Sequence, residues 1–207
     1  MHAFKKLRFP WMTLSITLSM NLWMALCMAL LISSPAALAA SIAPPKTVDH
    51  VEITRYLGQW YEIARLPNRF ERDCARDATA HYSLDGKTIR VVNRCLKADG
   101  KAQVARGRAK IVDHSTNAKL KVTFFWPFYG DYWILGLGSP TNPQATAASQ
   151  ANPVYPWAVV GGPRRKYLWI LARRPALTPQ QREEIRRVVE ESGYEWSKLL
   201  WTAQSGS

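Results

Sequence analysis

The chain has 207 residues, 47% of them hydrophobic, and a formal net charge of +13. Such a basic protein suits either nucleic acid or an anionic lipid surface. The basic residues are spread along the chain without an aromatic-basic recognition motif, which argues against a nucleic-acid partner. We therefore expect weak association with anionic phospholipid or lipopolysaccharide surfaces; a solvated basic surface without a specific partner is the alternative.

The first 39 residues read as an export signal. A positive segment (Lys5, Lys6, Arg8) precedes an apolar run over residues 14–31, and Ala37-Leu38-Ala39 is a small-x-small cleavage site. We predict a signal peptide over residues 1–39, a short linker over 40–47 and one domain over 48–204. Because the apolar run is long enough to cross a bilayer, an uncleaved anchor is the alternative.

Lipoprotein processing at Cys27 is a third possible fate of the leader. That chemistry requires a small residue immediately before the cysteine, and Leu26 occupies this place. We therefore expect an exported protein, periplasmic or associated with the outer membrane, without a lipid anchor at Cys27.

The remainder of the chain consists of short apolar or alternating runs separated by turn residues, a pattern typical of a meander of antiparallel strands. A segment over 139–153, rich in Ser, Ala, Thr, Asn, Gln and Pro, interrupts it and is predicted to be a mobile loop. The predicted strands are Tyr56–Leu66, Ala78–Leu84, Thr88–Cys95, Gln103–Val112, Lys119–Phe125, Tyr132–Leu137, Trp157–Val160 and Tyr167–Ala172.

Two cysteines remain after the leader, Cys74 and Cys95, and they flank a predicted hairpin whose turn is Asp85-Gly86. The hairpin brings Cys95 opposite a residue close to 77, within a few positions of Cys74. A disulfide is therefore plausible if Cys74 lies on an irregular lead-in, and an oxidising compartment favours it. Two buried free thiols are the alternative. The spacing does not suit a zinc site.

A single helix is predicted near the C-terminus. Thr178 and Gln181 form a capping box, Pro179 suits the first helical position, and Gly193 ends the helix. A narrow apolar stripe of Ile185, Val188 and Val189 favours packing against the outside of a barrel over insertion into a membrane surface. The tail containing Leu199, Leu200 and Trp201 is expected to add a short strand.

Two motifs carry a family resemblance. Leu57-Gly58-Gln59-Trp60-Tyr61 opens the first strand, and Arg173 ends the last strand before the helix. This pattern resembles the lipocalin family, in which Trp60 would plug the closed end and the Arg173 guanidinium would lie on its indole face. The resemblance implies an all-β fold, an eight-stranded antiparallel up-and-down lipocalin barrel with one C-terminal α-helix packed on the wall.

Within the family, the chain is similar to the bacterial outer-membrane lipocalin group related to apolipoprotein D. The similarity is carried by residues 124–133, by Asn93-Arg94-Cys95 and by Leu168-Trp169-Ile170-Leu171. It implies a carrier that stores or transports a fatty acid, lysophospholipid or similar lipid in the cell envelope. The family's middle motif departs from the pattern, because Val154 replaces the usual acid before Tyr155, and partner recognition there is in doubt.

The alternation of side chains along the strands predicts which residues face the lumen. Leu120, Val122 and Phe124 share one face, as do Trp60, Glu62 and Ala64 on the first strand and Ala80, Tyr82 and Leu84 on the second. The opposite possibility is that these side chains simply fill a barrel too narrow for a ligand. The predicted ligand-binding residues are Glu62, Tyr82, Val122, Phe124, Tyr132 and Trp169.

Catalysis is the competing function. The sequence lacks a nucleophile elbow, a zinc-protease motif and a phosphate-binding loop, so neither a cofactor nor a metal is expected. Glu62 in an apolar lumen would have a raised pKa and would suit acid-base chemistry, although a structural or ligand-orienting carboxyl is favoured. A lipocalin-fold enzyme acting on a bound lipid or isoprenoid therefore stays as the alternative to a carrier.

Overall fold

The computed structural model describes residues 43–139 and 154–205. The predictions on the signal peptide, on Cys27 and on most of the 139–153 insertion lie outside these residues. Within the described ranges there is no helix whose length and apolar character would let it cross a bilayer.

Nine strands of the described residues form one antiparallel sheet that closes on itself. Consecutive strands from β1 to β8 are neighbours, β8 pairs with β1, and β1 in turn pairs with β2 and β9. This confirms the predicted eight-stranded barrel. The strands are β1 Gly58–Arg65, β2 Arg76–Asp85, β3 Thr88–Leu96, β4 Ala102–Ile111, β5 Lys119–Phe125, β6 Phe128–Leu137, β7 Trp157–Gly161, β8 Trp169–Ala172 and β9 Leu200–Trp201.

Several predicted strand limits were wrong by one to four residues, and three of them affect the ends of the barrel. Tyr56 belongs to a short helix, α1 (Ile53–Tyr56), whose turn is closed when the Leu57 amide donates to the Ile53 carbonyl at 3.1 Å. β6 begins at Phe128, because Phe128 pairs directly with Phe125 across a two-residue turn. β8 begins at Trp169, where its ladders with β1 and β7 start.

The C-terminal segment fills a gap between β1 and β2. β1 pairs with β2 over Gly58–Tyr61 and with the predicted short strand, β9, over Ala64–Arg65. Beyond β9, the Gln204 amide donates to the Glu62 carbonyl at 2.8 Å and to the Ala78 carbonyl at 2.9 Å. The chain terminus therefore satisfies backbone acceptors where the two strands separate.

The helix α2 (Pro179–Glu191) packs on the barrel wall as predicted. Its capping box is formed, and Ile185 and Val189 are fully buried in a core cluster outside the barrel. Gly136 allows a close approach, since a Cβ at this position would lie 2.6 Å from Val188 Cγ1. The short 3₁₀-helix Trp196–Lys198 then leads into β9.

The barrel has two distinct ends. At the end that we call the base lie α1 and Arg173, beside the start of β1. At the opposite end, the mouth, four loops connect the strands; we call them the mouth loops, and they span residues 66–75, 97–101, 126–127 and 162–168. An inner core cluster lines the lumen, and the outer cluster lies between the wall and α2.

Candidate ligand-binding site

Trp60 and Arg173 close the base of the barrel. Gly58 has a φ of +95°, which a residue with a side chain adopts only with strain, and the sharp bend directs the fully buried Trp60 inward. The indole Nε1 donates to the Tyr56 carbonyl at 2.8 Å, and Arg173 Cζ lies 3.8 Å from the centroid of the Trp60 ring. The indole is thus fixed at its edge by a hydrogen bond and on its face by a guanidinium.

Arg173 also ties the surrounding backbone together. Nη1 donates to the Gln59 carbonyl at 2.6 Å, and Nη2 donates to the carbonyls of Arg55 at 2.9 Å and Leu57 at 2.8 Å. Nε donates to the Tyr155 carbonyl at 3.3 Å. Burial lowers the pKa of Arg173 to about 10, although the phenols of the nearby tyrosines partly offset this. The side chain remains charged at neutral pH and joins four backbone segments.

The predicted ligand-binding residues all belong to strands whose inner faces form the lumen. Tyr82, Val122, Tyr132 and Trp169 pack in or against the inner core cluster. Glu62 pairs with Leu171 of that cluster across the β1–β8 ladder. Phe124 lies against Gly107 and is partly exposed. Of the six, Tyr82, Val122 and Tyr132 line one small cavity, and contact of any of the six with a ligand remains a prediction.

Three tyrosines fill the lower lumen. The hydroxyl of Tyr132 is hydrogen-bonded to those of Tyr56 at 2.7 Å and Tyr82 at 2.9 Å. Burial raises the pKa of Tyr82 to about 12, and it raises the pKa values of Tyr56 and Tyr132 well above the ordinary range. The enclosed space beside them is about 10 Å³, room for about one water molecule. The lower lumen is therefore a packed floor.

The lumen wall is lined by small residues above this floor. In the β3–β4 ladder, Ala109 pairs with Ile89 of the inner cluster, and two and four residues along come Gly107 and Ala105. Ala105 is exposed, so solvent reaches the inner face of β4 at this level. Asn93, opposite Ala105, has a buried Oδ1 that accepts no hydrogen bond from any residue described. The inner face of β4 is thus open to solvent at Ala105 and covered by the Phe124 ring at Gly107, and Asn93 offers one free acceptor.

A buried polar network crosses the upper lumen. Glu62 Oε1 accepts hydrogen bonds from Arg65 Nη1 at 2.9 Å and from Thr202 Oγ1 at 2.6 Å. Burial raises the pKa of Glu62 to about 8, and the nearby Glu71 carboxylate adds to the shift, outweighing the opposing effects of Thr202 and Arg65. This shift favours the protonated form of Glu62. Arg65 lies between two carboxyl groups, with Glu62 Oε1 2.9 Å from Nη1 and Glu71 Oε2 3.5 Å from Nε.

Strict strand alternation missed Arg65. It predicts Ala64 on the lumen face with Glu62, and that prediction was wrong. A β-bulge between Glu62 and Ala64 shifts the register by one residue. Ala64 consequently packs in the outer cluster, and Arg65 joins Glu62 inside. The bulge lies at Ile63, and this residue type does not indicate a bulge in the sequence.

The mouth loop 66–75, which we call the lid loop, supplies Glu71 to the network. Glu71 Oε2 accepts from Trp169 Nε1 at 3.0 Å and from Asn68 Nδ2 at 2.7 Å. The predicted disulfide joins Cys74 at the end of this loop to Cys95 on β3, with the two Cα atoms 5.6 Å apart. The lid loop is thus covalently fixed at one end and held inward at Glu71 by hydrogen bonds.

Comparison with known proteins identifies the family. Residues 51–204 match the model of the lipocalin-like domain. The chain belongs to the lipocalin family. It is 38% identical over 173 residues to the outer membrane lipoprotein Blc of Escherichia coli strain K12, covering 81% of this chain and 89% of that protein. Apolipoprotein D of Mus musculus is 31% identical over 165 residues, covering 78% of this lipocalin and 81% of the relative.

Solved structures agree on the fold. Insecticyanin from the tobacco hornworm Manduca sexta superposes with a TM-score of 0.57 at 22% identity, covering 76% of this lipocalin and 83% of that chain. Lobster apocrustacyanin A1 gives a TM-score of 0.56 at 16% identity, covering 79% and 91% of the two chains. At these identities the likeness shows the barrel alone. The Blc and apolipoprotein D relatives place this lipocalin in the predicted group.

The name of the bacterial relatives bears on one prediction. They are called outer membrane lipoproteins, which supports a location in the cell envelope and weighs against our expectation that Cys27 carries no lipid. Among the described residues there is no group of three His, Cys, Asp or Glu side chains that would hold a metal ion.

Proposed function

We propose that this lipocalin is an exported carrier that holds one single-chain lipid in its lumen. The observation that carries the proposal is that the barrel differs in packing from its base to its mouth. The base is closed by Trp60 and Arg173, the floor is filled by tyrosines, and the wall above it carries Ala105 and Gly107. A lipid would lie above the tyrosine floor, along the small-residue wall, with its head at the mouth.

The ligand is limited in size by this arrangement. An acyl chain gains about 0.8 kcal/mol per buried CH₂, partly offset by the entropy of association, so we expect micromolar affinity. The packed floor shortens the lumen, which favours one flexible chain over a bulky rigid ligand. Fatty acids and lysophospholipids meet this requirement.

Binding is favoured over catalysis by the state of Glu62. Its Oε1 is already engaged by Arg65 and Thr202, so this carboxyl is held in a structural network instead of facing free space in the lumen. The enzyme alternative is tested by incubating the purified protein with a panel of lipids and isoprenoids and analysing products by mass spectrometry. Conversion of any of them with turnover would favour the enzyme.

The carrier proposal is tested by blocking the lumen. Ala105→Trp introduces an indole on the inner face of β4. Val104→Trp places the same side chain on the outer face of the strand, one residue earlier. We expect Ala105→Trp to lower the affinity for a fluorescent fatty acid at least tenfold and Val104→Trp to leave that affinity unchanged. Equal affinities for both variants and the wild type, with all three folded, would place the lipid outside the lumen.

We further propose that the mouth rests on an anionic membrane surface while lipid is exchanged. The mouth loops carry seven basic and three acidic residues, whereas the loops at the base (48–57, 86–87, 112–118 and 173–178) carry four and three. The described chain also begins beside the mouth, where Arg165 donates to the Ala43 carbonyl at 2.8 Å.

Exposed aromatic side chains stand at the same end. Phe125 and Trp126 are each 80% exposed, and Phe128 is 74% exposed around the β5–β6 turn. Phe70 of the lid loop is 55% exposed. Aromatic rings at the tip of a turn, beside basic loops, suit the boundary between lipid headgroups and acyl chains. The apolar tips and the positive charge thus favour the same partner.

Sedimentation with vesicles tests this surface. We expect binding to phosphatidylglycerol vesicles, weaker binding to phosphatidylcholine vesicles, and a loss of binding at high salt. A Phe125→Ser/Trp126→Ser double variant should release the protein, whereas Leu84→Ser, which changes an exposed residue at the base, should not. Binding that survives the double variant but is lost on reversing charges elsewhere would move the contact away from the mouth.

A further inference from the structure

The buried network at the mouth has a feature that the carrier role alone does not require. Arg65 Nε is buried and makes no hydrogen bond to any group within the described ranges, although Glu71 Oε2 lies 3.5 Å away. The Arg65 side chain is 9% exposed. An unsatisfied guanidinium N–H at this depth is costly unless something else binds it.

We propose that Arg65 Nε and Trp169 Nε1 form the head-group site for the anionic oxygen of a single-chain lipid, and that the Glu71 carboxylate occupies this site in the ligand-free protein. This inference rests on the proposed carrier function. It adds the chemical class of the head group and a specific competitor carried by the chain itself.

The position of Glu71 is that of a ligand head group. Its Oε2 accepts from the Trp169 indole, which packs against the inner core cluster, and approaches Arg65 from the mouth. A fatty-acid carboxylate has the same oxygen geometry and can accept from the same two donors. Because it arrives on an acyl chain and not on a loop backbone, it is free to approach Arg65 Nε at hydrogen-bond distance.

Displacement of Glu71 conserves the buried charge. The incoming anion brings one negative charge as Glu71 takes one out, so Arg65 keeps its counter-ion throughout. The displaced carboxylate moves to the lid surface, where Arg69 and Arg72 lie on either side of it in sequence. A neutral lipid that displaced Glu71 would leave Arg65 with the Glu62 carboxyl as its remaining acidic partner, 2.9 Å from Nη1, and would not replace the negative charge that Glu71 withdraws. The site therefore selects anionic heads over neutral ones.

The contacts of the lid loop permit Glu71 to exchange with a lipid head group. Glu71 is 18% exposed and is held by hydrogen bonds from the side chains of Trp169 and Asn68, and its carbonyl accepts from Arg65 Nη2 at 3.2 Å. Cys74 at the end of the loop is bonded to Cys95 and stays in place. A short segment can swing out while the strands of the barrel remain paired.

Glu71→Gln tests the competition directly. The probes are hexadecanoic acid, hexadecanol as its neutral counterpart, and hexadecyl phosphate, each measured by displacement of a fluorescent lipid. Removing the competing charge should tighten binding of the acid about five- to twentyfold, because a neutral amide competes less well than a carboxylate for Arg65. The affinity for hexadecanol should change less than twofold. Asp73→Asn, a change of another lid-loop carboxylate that is 61% exposed, should alter neither.

A second variant removes a donor from the site. Trp169→Phe keeps an aromatic ring and loses the indole N–H, so we expect binding of the acid to weaken about three- to tenfold and binding of hexadecanol to hold. Tightening of hexadecyl phosphate but not of the acid by Glu71→Gln would assign the same site to phosphate heads.

Three outcomes would overturn the inference: Glu71→Gln leaves binding of both the acid and hexadecyl phosphate unchanged, weakens acid binding, or tightens binding of the acid and the alcohol alike. The last would show that the variant merely loosens the lid loop. Failure of the carrier function is separate, since it would appear as absence of saturable binding of all three probes to the folded wild type and variants.

Discussion

Arg173→Ala should destabilise the barrel without removing its ligand. The variant loses four hydrogen bonds to backbone carbonyls and the contact with the Trp60 face. Each bond contributes about 0.5–1.5 kcal/mol and the cation–π contact about 0.5–1 kcal/mol. Because the side chain is partly exposed, water will rehydrate some of the freed carbonyls. We therefore expect the free energy of unfolding to fall by about 2–4 kcal/mol.

Urea unfolding followed by tryptophan fluorescence measures this loss. Arg173→Lys should give an intermediate value, because one ammonium group keeps the charge but cannot reach four carbonyls. Arg174→Ala, at the exposed neighbouring position, should cost less than about 0.5 kcal/mol. Lipid affinity should be nearly unchanged because the base is far from the mouth. Loss of lipid binding at an unchanged urea midpoint would show that Arg173 belongs to the ligand site, and our assignment would be wrong.

Three further predictions concern other parts of the fold. In Glu62→Gln, stability should lose the pH dependence caused by a carboxyl that titrates near pH 8 when folded and near 4.5 when unfolded. The wild type should lose about 3–4 kcal/mol relative to the variant as pH rises from 5 to 8.5, in paired urea titrations, and parallel curves would refute it. Replacing Cys74 and Cys95 with Ser should lower stability by about 3 kcal/mol, and speed lipid release in stopped-flow measurements; unchanged release rates would show that the disulfide plays no part in exchange. Ile185→Ala should cost about 2–5 kcal/mol in thermal or urea unfolding, with Arg186→Ala as the exposed control, and a cost equal to the control would mean that α2 does not pack tightly on the wall.

The fold could be predicted from local signals because each of them has a fixed geometric meaning. The capping box at Thr178 and Gln181 has one conformational interpretation, and the structure contains it. Asp85-Gly86 set the hairpin, whose ladder brings Arg76 opposite Leu96 and so places Cys74 close to Cys95. Strand ends were less accurate, since they depend on which neighbour completes the ladder and not on the residues themselves.

The upper lumen could not be predicted for a different reason. Its polar network joins positions far apart in sequence, as shown by the hydrogen bond from Thr202 to Glu62, and no local pattern marks such a pairing. Arg65 was placed on the wrong face by strict alternation because one bulge inverts every residue after it. Glu71 lies on an irregular loop, where period-two reasoning does not apply. Glu62 was identified because an acid among apolar neighbours is conspicuous in any register.

The two ends of this barrel illustrate opposite uses of an arginine. At the base, Arg173 donates to four carbonyls and stacks on Trp60, so each of its three nitrogens is hydrogen-bonded and its role is to hold the backbone. At the mouth, Arg65 is more deeply buried yet keeps an N–H unsatisfied beside a carboxylate from a loop. A guanidinium whose nitrogens are all hydrogen-bonded holds the structure around it. One with an unbonded N–H can still gain free energy by binding a better partner. That difference is why the ligand's head group is expected at Arg65 and why the base can remain closed during exchange.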